Sequence, residues 1–363
     1  MPTKFKTLPL FDTYKNLAER IPHIQLASCP TPIQKLKTQN IQFKAENNIW
    51  IKRDDLTHAE YGGNKVRKLE FILAEVKALN KKTVITFGAT GTNHGVATSL
   101  FCQKQNLDCQ IFLFQQPVTE TVRKNLKLMQ VFNAKLKYKG SLFNTALSFY
   151  FAKYSNKFKL GSEGNYYLFA GGSNIAGCIA FVNAAFELKQ QIQQGVMPEP
   201  DFIYCPVGSS ATLAGLTLGC HLAGLNSQVI GIRVAPSHLG IIPSCTTTTI
   251  TDLMKSTYKH LRHLDNQIPR TTLPNIHLDS KFYGKGYGAA SKEGSEATSI
   301  FSAGGIQVEP TYTAKTAAAV LAHSNKDPQK TILYWHTYNS ANMKCQLQKA
   351  DISKLPSSLQ KLF

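Results

Sequence analysis

Short apolar runs alternate with amphipathic segments along the whole chain. The apolar runs predict strands, at 49–52, 83–87, 109–116, around 136, 165–172, 201–208, 228–235, 306–310 and 331–337. The amphipathic segments predict helices, at 14–20, from 65, through 100, 118–132, 175–193, 211–223, 289–303 and from 313. Leu69, Ile72, Leu73 and Val76 illustrate the helical pattern, since their spacing places them on one face of a helix.

Strands that alternate with helices indicate parallel βαβ units, and strands this apolar are buried on both faces. The sequence therefore predicts an α/β fold in which open twisted sheets are flanked by helices. Ligands of such sheets bind beyond the carboxyl ends of the strands, at helix N-termini. We expect chemistry at these junctions, and we interpret the polar stretch 245–275 as a surface insertion.

Composition narrows the class of protein. The chain has 363 residues, of which 43% are hydrophobic and 17% charged, which indicates an ordered protein of two domains or one large one. No apolar run reaches the ~18 residues of a membrane span, and the N-terminal segment lacks the apolar core of a secretion signal. We therefore expect a cytoplasmic protein that does not bind a membrane.

The net charge of +19 favours anionic ligands. The densest cluster, Lys135 to Lys139, alternates with Leu136 and Tyr138 like a strand with one solvated face, and no nucleic-acid-binding signature is present. Eight cysteines are spread singly without a CxxC pair, so neither disulfides nor a metal site are indicated. Small anions are the expected partners, and nucleic acid is not.

The stretch GGNKVRKLE at 62–70 joins a flexible turn to the start of a helix. Lys65 lies in the first helical turn, where backbone amides already create positive potential. Burial beside further cations would lower the pKa of this lysine and make it nucleophilic. A basic helix start that faces solvent is the alternative interpretation.

Three further junctions carry polar residues between glycines. GATGTNHG at 88–95 combines a hydroxyl, an amide and an imidazole, which is more than one N-cap requires. VGSSAT at 207–212 follows a strand and resembles a cup for a single phosphate, without the spacing of a nucleotide-binding loop. YGKGYG at 283–288 is a poor dinucleotide motif and predicts a flexible turn that presents Tyr287.

A reactive lysine, a phosphate cup and polar groups on separate junctions together suggest pyridoxal phosphate. This cofactor has one phosphate, an aldehyde that forms a Schiff base with lysine, and a ring nitrogen that needs a partner. With EPTYTAK at 309–315, the motifs at 62–70, 88–95 and 207–212 resemble those of the 1-aminocyclopropane-1-carboxylate deaminase and D-cysteine desulfhydrase family. That family is a branch of the tryptophan-synthase-like, fold type II pyridoxal phosphate enzymes. The resemblance extends from Pro30 to Thr337.

The resemblance implies an architecture and a role for each matching residue. It implies a large cofactor-binding domain from 1–65 and 179–363, a small domain at 66–178, and a homodimer. Lys65 would carry the cofactor, with Asn93 against its ring and Thr313 at the ring nitrogen. The phosphate would lie on Gly208, Ser209, Ser210, Ala211 and Thr212, assisted by Lys68. The substrate would meet Thr92, Asn93, His94, Tyr287 and Tyr312, of which Thr92 and the two tyrosines would be catalytic together with Lys65.

Thr313 favours one activity of the family over the other. Family deaminases carry a glutamate at this place, and a carboxylate keeps the ring nitrogen protonated and the ring strongly electron-withdrawing. A threonine gives a weaker electron sink, which suffices when a thiolate leaves from the β-carbon. Glu309 is expected to lie elsewhere. We therefore expect α,β-elimination from a small amino acid such as D-cysteine, giving pyruvate, ammonia and hydrogen sulfide.

Two alternatives stay open, namely a 1-aminocyclopropane-1-carboxylate deaminase that yields 2-oxobutanoate and ammonia, and a non-catalytic pyridoxal phosphate-binding protein. Three departures from the family pattern bear on the substrate. Thr92 replaces a serine, His94 stands where deaminases have glutamine, and Tyr338-Asn339 stands where the family has two glycines.

Overall fold

The structure, a computed structural model, describes residues 8–37, 48–155, 164–239 and 242–363. Its strands are β1 (Ile33–Lys35), β2 (Ile49–Lys52), β3 (Thr83–Ala89), β4 (Asp108–Phe114), β5 (Lys135–Gly140), β6 (Asn165–Tyr167), β7 (Phe202–Val207), β8 (Gln228–Arg233), β9 (His238–Leu239), β10 (Ile242–Pro243), β11 (His277–Asp279) and β12 (Ile332–Trp335). Its α-helices are α1 (Pro9–Thr13), α2 (Leu17–Arg20), α3 (Asn64–Ala78), α4 (Asn93–Lys104), α5 (Glu120–Val131), α6 (Leu142–Ser155), α7 (Ile175–Gln193), α8 (Ala211–Leu222), α9 (Thr247–Leu264), α10 (Lys292–Ala303), α11 (Thr313–Lys326), α12 (Lys344–Gln348) and α13 (Ser357–Gln360).

Two open sheets organise the molecule, as the alternating pattern predicts. The larger has the order β1-β2-β12-β7-β8-β11, with parallel pairs throughout except for antiparallel β1 at its edge. The smaller has the order β5-β4-β3-β6 and is entirely parallel. Helices cover both faces of each sheet, and strands such as β12 are therefore buried on both sides. The predicted α/β fold class is confirmed.

The strands of the smaller sheet all fall between residues 66 and 178, and those of the larger sheet fall outside these bounds. The domain limits themselves stay a prediction. Residues 1–7, 38–47 and 240–241 of the expected large domain, and 156–163 of the small one, lie outside the described part of the chain. Helix α3 contributes residues to the hydrophobic cores of both sheets. Its Phe71 joins the core beneath the larger sheet, whereas Leu69 and Leu73 join the core of the smaller one.

Three interpretations of the sequence were wrong. The helix predicted at 14–20 is present only as Leu17–Arg20, and a separate helix, Pro9–Thr13, precedes it. The apolar segment 306–310 is not a strand: Ile306 and Val308 are buried, but the segment pairs with no described strand. The stretch 245–275 is not a mere surface insertion, since it contains helix α9, whose Ile250 and Met254 lie in the core. Thr246 caps this helix by accepting a hydrogen bond from Thr249 N, so the threonine run marks a helix start.

A buried ionic cluster joins α3 to the larger sheet. Arg67 of α3 donates to Asp54 through Nε (2.9 Å) and to Glu187 of α7 through Nη1 (2.8 Å). Lys52 of β2 donates to Glu187 Oε1 at 2.5 Å, and Trp335 Nε1 donates to Asp54 Oδ2 at 2.7 Å. Burial by itself raises the pKa of Glu187, but Arg67 and Lys52 hold that pKa well below its usual range. The cluster fixes α3 two residues beyond Lys65.

The cysteines are free in the structure, and their exposure differs sharply. Six are buried, Cys29 is partly buried, and Cys345 at the start of α12 is exposed. None of the helices in the described ranges is both long and apolar enough to cross a membrane.

Candidate active site

One pocket lies where the strand-to-helix junctions of both sheets meet. Its walls include the turn before α3, the junction between β3 and α4, the loop between β7 and α8, and the residues around the start of α11. The carboxyl ends of parallel strands lie at the same end of a sheet, which explains why motifs distant in sequence share one cavity.

Lys65 lines this cavity and is partly buried. Its Nζ lies 5.8 Å from the ring centroid of Tyr312, and no described residue accepts a hydrogen bond from it. Desolvation lowers the pKa of Lys65 to about 8, although Glu309 favours the charged form. The neutral, nucleophilic amine is therefore accessible near neutral pH.

The turn before Lys65 requires glycine. Gly63 has a φ of 97°, and a Cβ on it would lie 2.8 Å from the carbonyl oxygens of Thr337 and Tyr338. A Cβ on Gly62 would lie 1.9 Å from the Asp55 carbonyl oxygen. Asn64 then donates through Nδ2 to Thr212 Oγ1 at 3.2 Å, which ties the start of α3 to the β7–α8 loop.

The β7–α8 loop forms an open cradle at the N-terminus of α8. Gly208, Ser209 and Thr212 line the pocket, and a Cβ on Gly208 would lie 2.8 Å from the Tyr312 ring. Ser210 and Ala211 are turned away from the lining: Ser210 Oγ donates to Ser244 O at 3.2 Å, and Ala211 N donates to Ser173 Oγ at 3.3 Å.

Lys68 lies directly behind the pocket wall. Its Nζ donates to the carbonyl oxygen of Gly171, a lining residue, at 3.0 Å. Desolvation and then the neighbouring Lys65 lower its pKa to about 7. Because Lys65 disfavours the charged form of Lys68, an anion nearby would stabilise both ammonium groups, and the N-terminus of α8 favours an anion as well.

The β3–α4 junction supplies Thr92, Asn93 and His94. Thr92 caps α4, its Oγ1 accepting from Gly95 N at 3.1 Å. Its methyl group faces glycines, since a Cβ on Gly95 would come within 2.5 Å of Thr92 Cγ2. The methyl that distinguishes Thr92 from serine is therefore accommodated in the wall.

His94 is buried and neutral. Its Nε2 lies 3.0 Å from Thr86 Oγ1, and its Nδ1 lies 3.4 Å from Thr98 Oγ1. Desolvation, reinforced by Lys65 and Lys68, lowers its pKa to about 3. His94 lines the pocket but its ring nitrogens are engaged by the two threonines.

Tyr287 and Tyr312 form a hydroxyl pair beside Lys65, with their rings edge to face at 5.8 Å. Burial raises the pKa of Tyr287 to about 12 and that of Tyr312 well above its usual value. Both hydroxyls thus stay protonated at neutral pH and can act only as proton donors or hydrogen-bonding groups.

Thr313 and Glu309 face the pocket together at the start of α11. The Glu309 carboxylate accepts from the backbone N–H groups of Thr311, Tyr312 and Thr313 at 2.7 to 2.9 Å. The Glu309 N–H in turn donates to Thr313 Oγ1 at 2.7 Å. Glu309 was expected elsewhere and lies in the wall, but its carboxylate is occupied in capping the helix.

The Tyr338-Asn339 pair closes the pocket beside Gly62 and Gly63. Asn339 Oδ1 accepts a hydrogen bond from Gly62 N at 2.8 Å, so the Asn339 side chain stabilises the turn before α3. Tyr338 contributes to the lining, and its carbonyl oxygen packs against Gly63. The tyrosine occupies space that a glycine would leave open.

Most of the predicted site residues meet in this one cavity, and a few stand behind it. The lining includes Lys65, Thr92, Asn93, His94, Gly208, Ser209, Thr212, Tyr287, Tyr312 and Thr313. Lys68, Ser210 and Ala211 are outside the lining. Sequence reasoning missed other lining residues, among them Tyr61, Phe114 and Gly171, for which no motif gives a signal.

The residues present fit pyridoxal phosphate. The N-terminus of α8, bordered by Gly208 and Ser209, suits its phosphate, and a lysine with a lowered pKa suits its aldehyde. The hydroxyl of Thr313 suits its ring nitrogen.

Comparisons with known proteins agree with this reading. A family model described as pyridoxal-phosphate dependent enzyme matches residues 24–337. An ACC deaminase homologue of known structure is similar at 24% identity and a TM-score of 0.74, over 96% of this chain and 100% of that chain. A serine racemase from Dictyostelium discoideum is similar at 16% identity and a TM-score of 0.58, over 86% and 93% of the two chains. A hydrogen sulfide-producing enzyme from Fusobacterium nucleatum is similar at 13% identity and a TM-score of 0.57, over 86% and 96%.

Proposed function

This chain belongs to the pyridoxal-phosphate dependent enzymes, and from that premise we propose that it catalyses α,β-elimination on a small amino acid. The substrate that we propose is D-cysteine, with pyruvate, hydrogen sulfide and ammonia as products. When bound, the cofactor draws electrons away from the substrate's α-carbon. The protein's own residues hold the cofactor, orient the substrate and move protons.

The observation that carries the proposal is the pairing of Thr313 with Glu309. Thr313 Oγ1 already accepts from the Glu309 N–H, and its two contacts as a donor, to Glu309 O and Oε1, are both long at 3.4 Å. Its hydroxyl proton can therefore turn toward an unprotonated ring nitrogen. The Glu309 carboxylate is saturated by three backbone N–H groups and does not replace Thr313 in this role.

A neutral hydroxyl at the ring nitrogen supports elimination of a good leaving group. Opening an unactivated cyclopropane needs a protonated ring nitrogen, which a carboxylate would maintain. Loss of a thiolate from the β-carbon makes a smaller demand on the ring. One enzyme of the same fold is described as producing hydrogen sulfide, so the architecture is compatible with this chemistry.

Five residues of the pocket have a chemical role in this proposal. Lys65 would hold the cofactor, and its amine, when free, would take the α-proton of the substrate. Thr92 and Asn93 bind the substrate carboxylate with a hydroxyl and an amide. Tyr287 or Tyr312, both protonated because burial raises the pKa of each, donates a proton to the departing sulfur.

The test is the absorption spectrum of the purified holoenzyme with a panel of D- and L-amino acids, combined with assays of pyruvate, sulfide and 2-oxobutanoate. We expect sulfide and pyruvate from D-cysteine and no 2-oxobutanoate from 1-aminocyclopropane-1-carboxylate. Lys65→Ala should abolish covalent cofactor binding. Release of 2-oxobutanoate without D-cysteine breakdown, or binding without turnover of any amino acid, would overturn the proposal.

A further inference from the structure

Asn125 reaches the active site from behind. It lies on α5 with 4% of its surface exposed, and it does not line the pocket. Its Nδ2 donates to the Gly91 carbonyl oxygen at 2.8 Å and to Asn93 Oδ1 at 2.9 Å. A side chain outside the pocket thus contacts an amide that faces into it.

These two contacts determine how the Asn93 amide is oriented. The carbonyl oxygen of Gly91 can only accept a hydrogen bond, so the Asn125 atom beside it must be the NH₂ group. The Asn93 atom that meets the same NH₂ must then be an acceptor, which is Oδ1. Asn93 Nδ2 is left without an acceptor among the described residues, and Asn93 lines the pocket.

The backbone around Asn93 is held by other groups. Gln116 Oε1 accepts from Gly91 N at 3.1 Å, and Tyr61 Oη donates to Asn93 O at 3.1 Å. The particular contribution of Asn125 is therefore to fix the orientation of the Asn93 amide about the Cβ–Cγ bond. A rotation of 180° would exchange a donor for an acceptor at the pocket surface at little steric cost.

We propose that Asn125 is a positioning residue that holds the Asn93 amide with its NH₂ directed at an anionic oxygen in the pocket. That oxygen belongs either to the ring of the bound cofactor or to the carboxylate of the substrate, since both are acceptors only. The proposal rests on the cofactor of the family and on no particular amino-acid substrate. Without Asn125, the Asn93 amide can direct either its NH₂ group or its carbonyl oxygen into the pocket.

The test uses Asn125→Asp, which keeps the shape of the side chain and removes its donor. The introduced carboxylate cannot donate to Asn93 Oδ1, so Asn93 turns its NH₂ toward that carboxylate and its oxygen toward the pocket. We expect a change of about tenfold or more in at least one of three quantities, because a hydrogen bond to a charged group is lost. These are the acid dissociation constant obtained from the pH titration of the cofactor's absorption band, the affinity for the cofactor, and the KM of the substrate. Asn125→Leu, which offers neither donor nor acceptor, should shift the same quantities in the same direction.

The readouts separate the two sources of the oxygen. A pH titration of the substrate-free holoenzyme's absorption band, with equilibrium dialysis of pyridoxal phosphate against the apo-enzyme, reports on the cofactor's oxygen. A rise in KM alone, with an unchanged band, reports on the substrate's carboxylate. Either outcome supports the donor role, and the first needs no turnover, so it stands or falls separately from the proposed elimination.

A double-mutant cycle excludes a merely structural effect. Asn125→Asp should have no further effect on these quantities in an Asn93→Ala background, because the amide that it reorients is gone. Gln116→Leu removes a different hydrogen bond to Gly91 and should leave the band titration unchanged. Wild-type titration, cofactor affinity and KM in both Asn125 variants, or effects of the same size in the Asn93→Ala background, would overturn the proposal.

Discussion

Raising the pH should accelerate the capture of pyridoxal phosphate by Lys65 only up to about pH 8, and the rate should then level off. Capture requires the neutral amine, and desolvation lowers the pKa of Lys65 from 10.5 to about 8. At pH 7 about a tenth of the side chain is then neutral, against about one in three thousand at the ordinary value. Burial therefore increases the reactive fraction about 300-fold at neutral pH.

The assay mixes hydroxylamine-stripped apo-enzyme with pyridoxal phosphate and follows the visible absorbance of the covalent product between about pH 6 and about pH 10. N-acetyl-lysine methyl amide in place of the protein corrects for ionisation of the cofactor itself. Glu309→Gln adds a second perturbation with a definite sign. The carboxylate of Glu309 favours the charged amine, so its removal should move the plateau to lower pH.

A capture rate that keeps rising tenfold per pH unit through about pH 10 would refute the reasoning, because it would mean that Lys65 titrates like a lysine in water. A plateau that moves to higher pH in Glu309→Gln would contradict the assigned sign of the carboxylate's effect.

Two further predictions concern the cluster behind the site and the tyrosine pair. Arg67→Met should lower the free energy of unfolding by about 3–5 kcal/mol, because it leaves buried carboxylates unpaired, whereas Lys292→Met in the exposed pair with Glu296 should change it by at most about 1 kcal/mol. Urea unfolding followed by the fluorescence of Trp50 and Trp335, the second of which contacts the cluster, measures both, and equal losses would contradict the difference in burial. Tyr287→Phe should lower kcat about 10²-fold or more, since the pair with Tyr312 loses a proton donor, and the substrate-free spectrum should stay unchanged. Steady-state kinetics test this prediction, and an unchanged kcat would show that Tyr287 takes no part in proton transfer.

Local signals in the sequence were sufficient for the fold class and for most of the cavity. Strands such as β7 and β12 are apolar on both faces, which only a doubly covered sheet explains. Glycines at 62, 63 and 208 mark close approaches that exclude a Cβ, and each stands in a motif that the sequence singles out. The glycines are visible as motifs in the sequence, although the groups that approach Gly63 and Gly208, namely Tyr338 and Tyr312, are distant in the chain and only the structure identifies them.

Features that depend on tertiary contacts were not predictable. Ile306 and Val308 read as a strand because they alternate, yet the larger sheet offers the segment no described partner. Glu309 was excluded from the site by its position before a helix, and it lies in the wall as the cap of that helix. Asn125 carries no motif at all, since its contact with Asn93 spans two helices of the small sheet's layer.

The uneven exposure of the cysteines makes the native sequence a ready template for site-specific labelling. A thiol-reactive dye should attach at Cys345, because the remaining thiols are wholly or partly shielded, and burial raises the pKa of Cys29 well above its usual value. Cys345 sits on α12, which packs against α5, the helix that carries Asn125. Energy transfer between such a dye and the bound cofactor would then report movements of the smaller sheet's layer relative to the active site, without any engineered mutation.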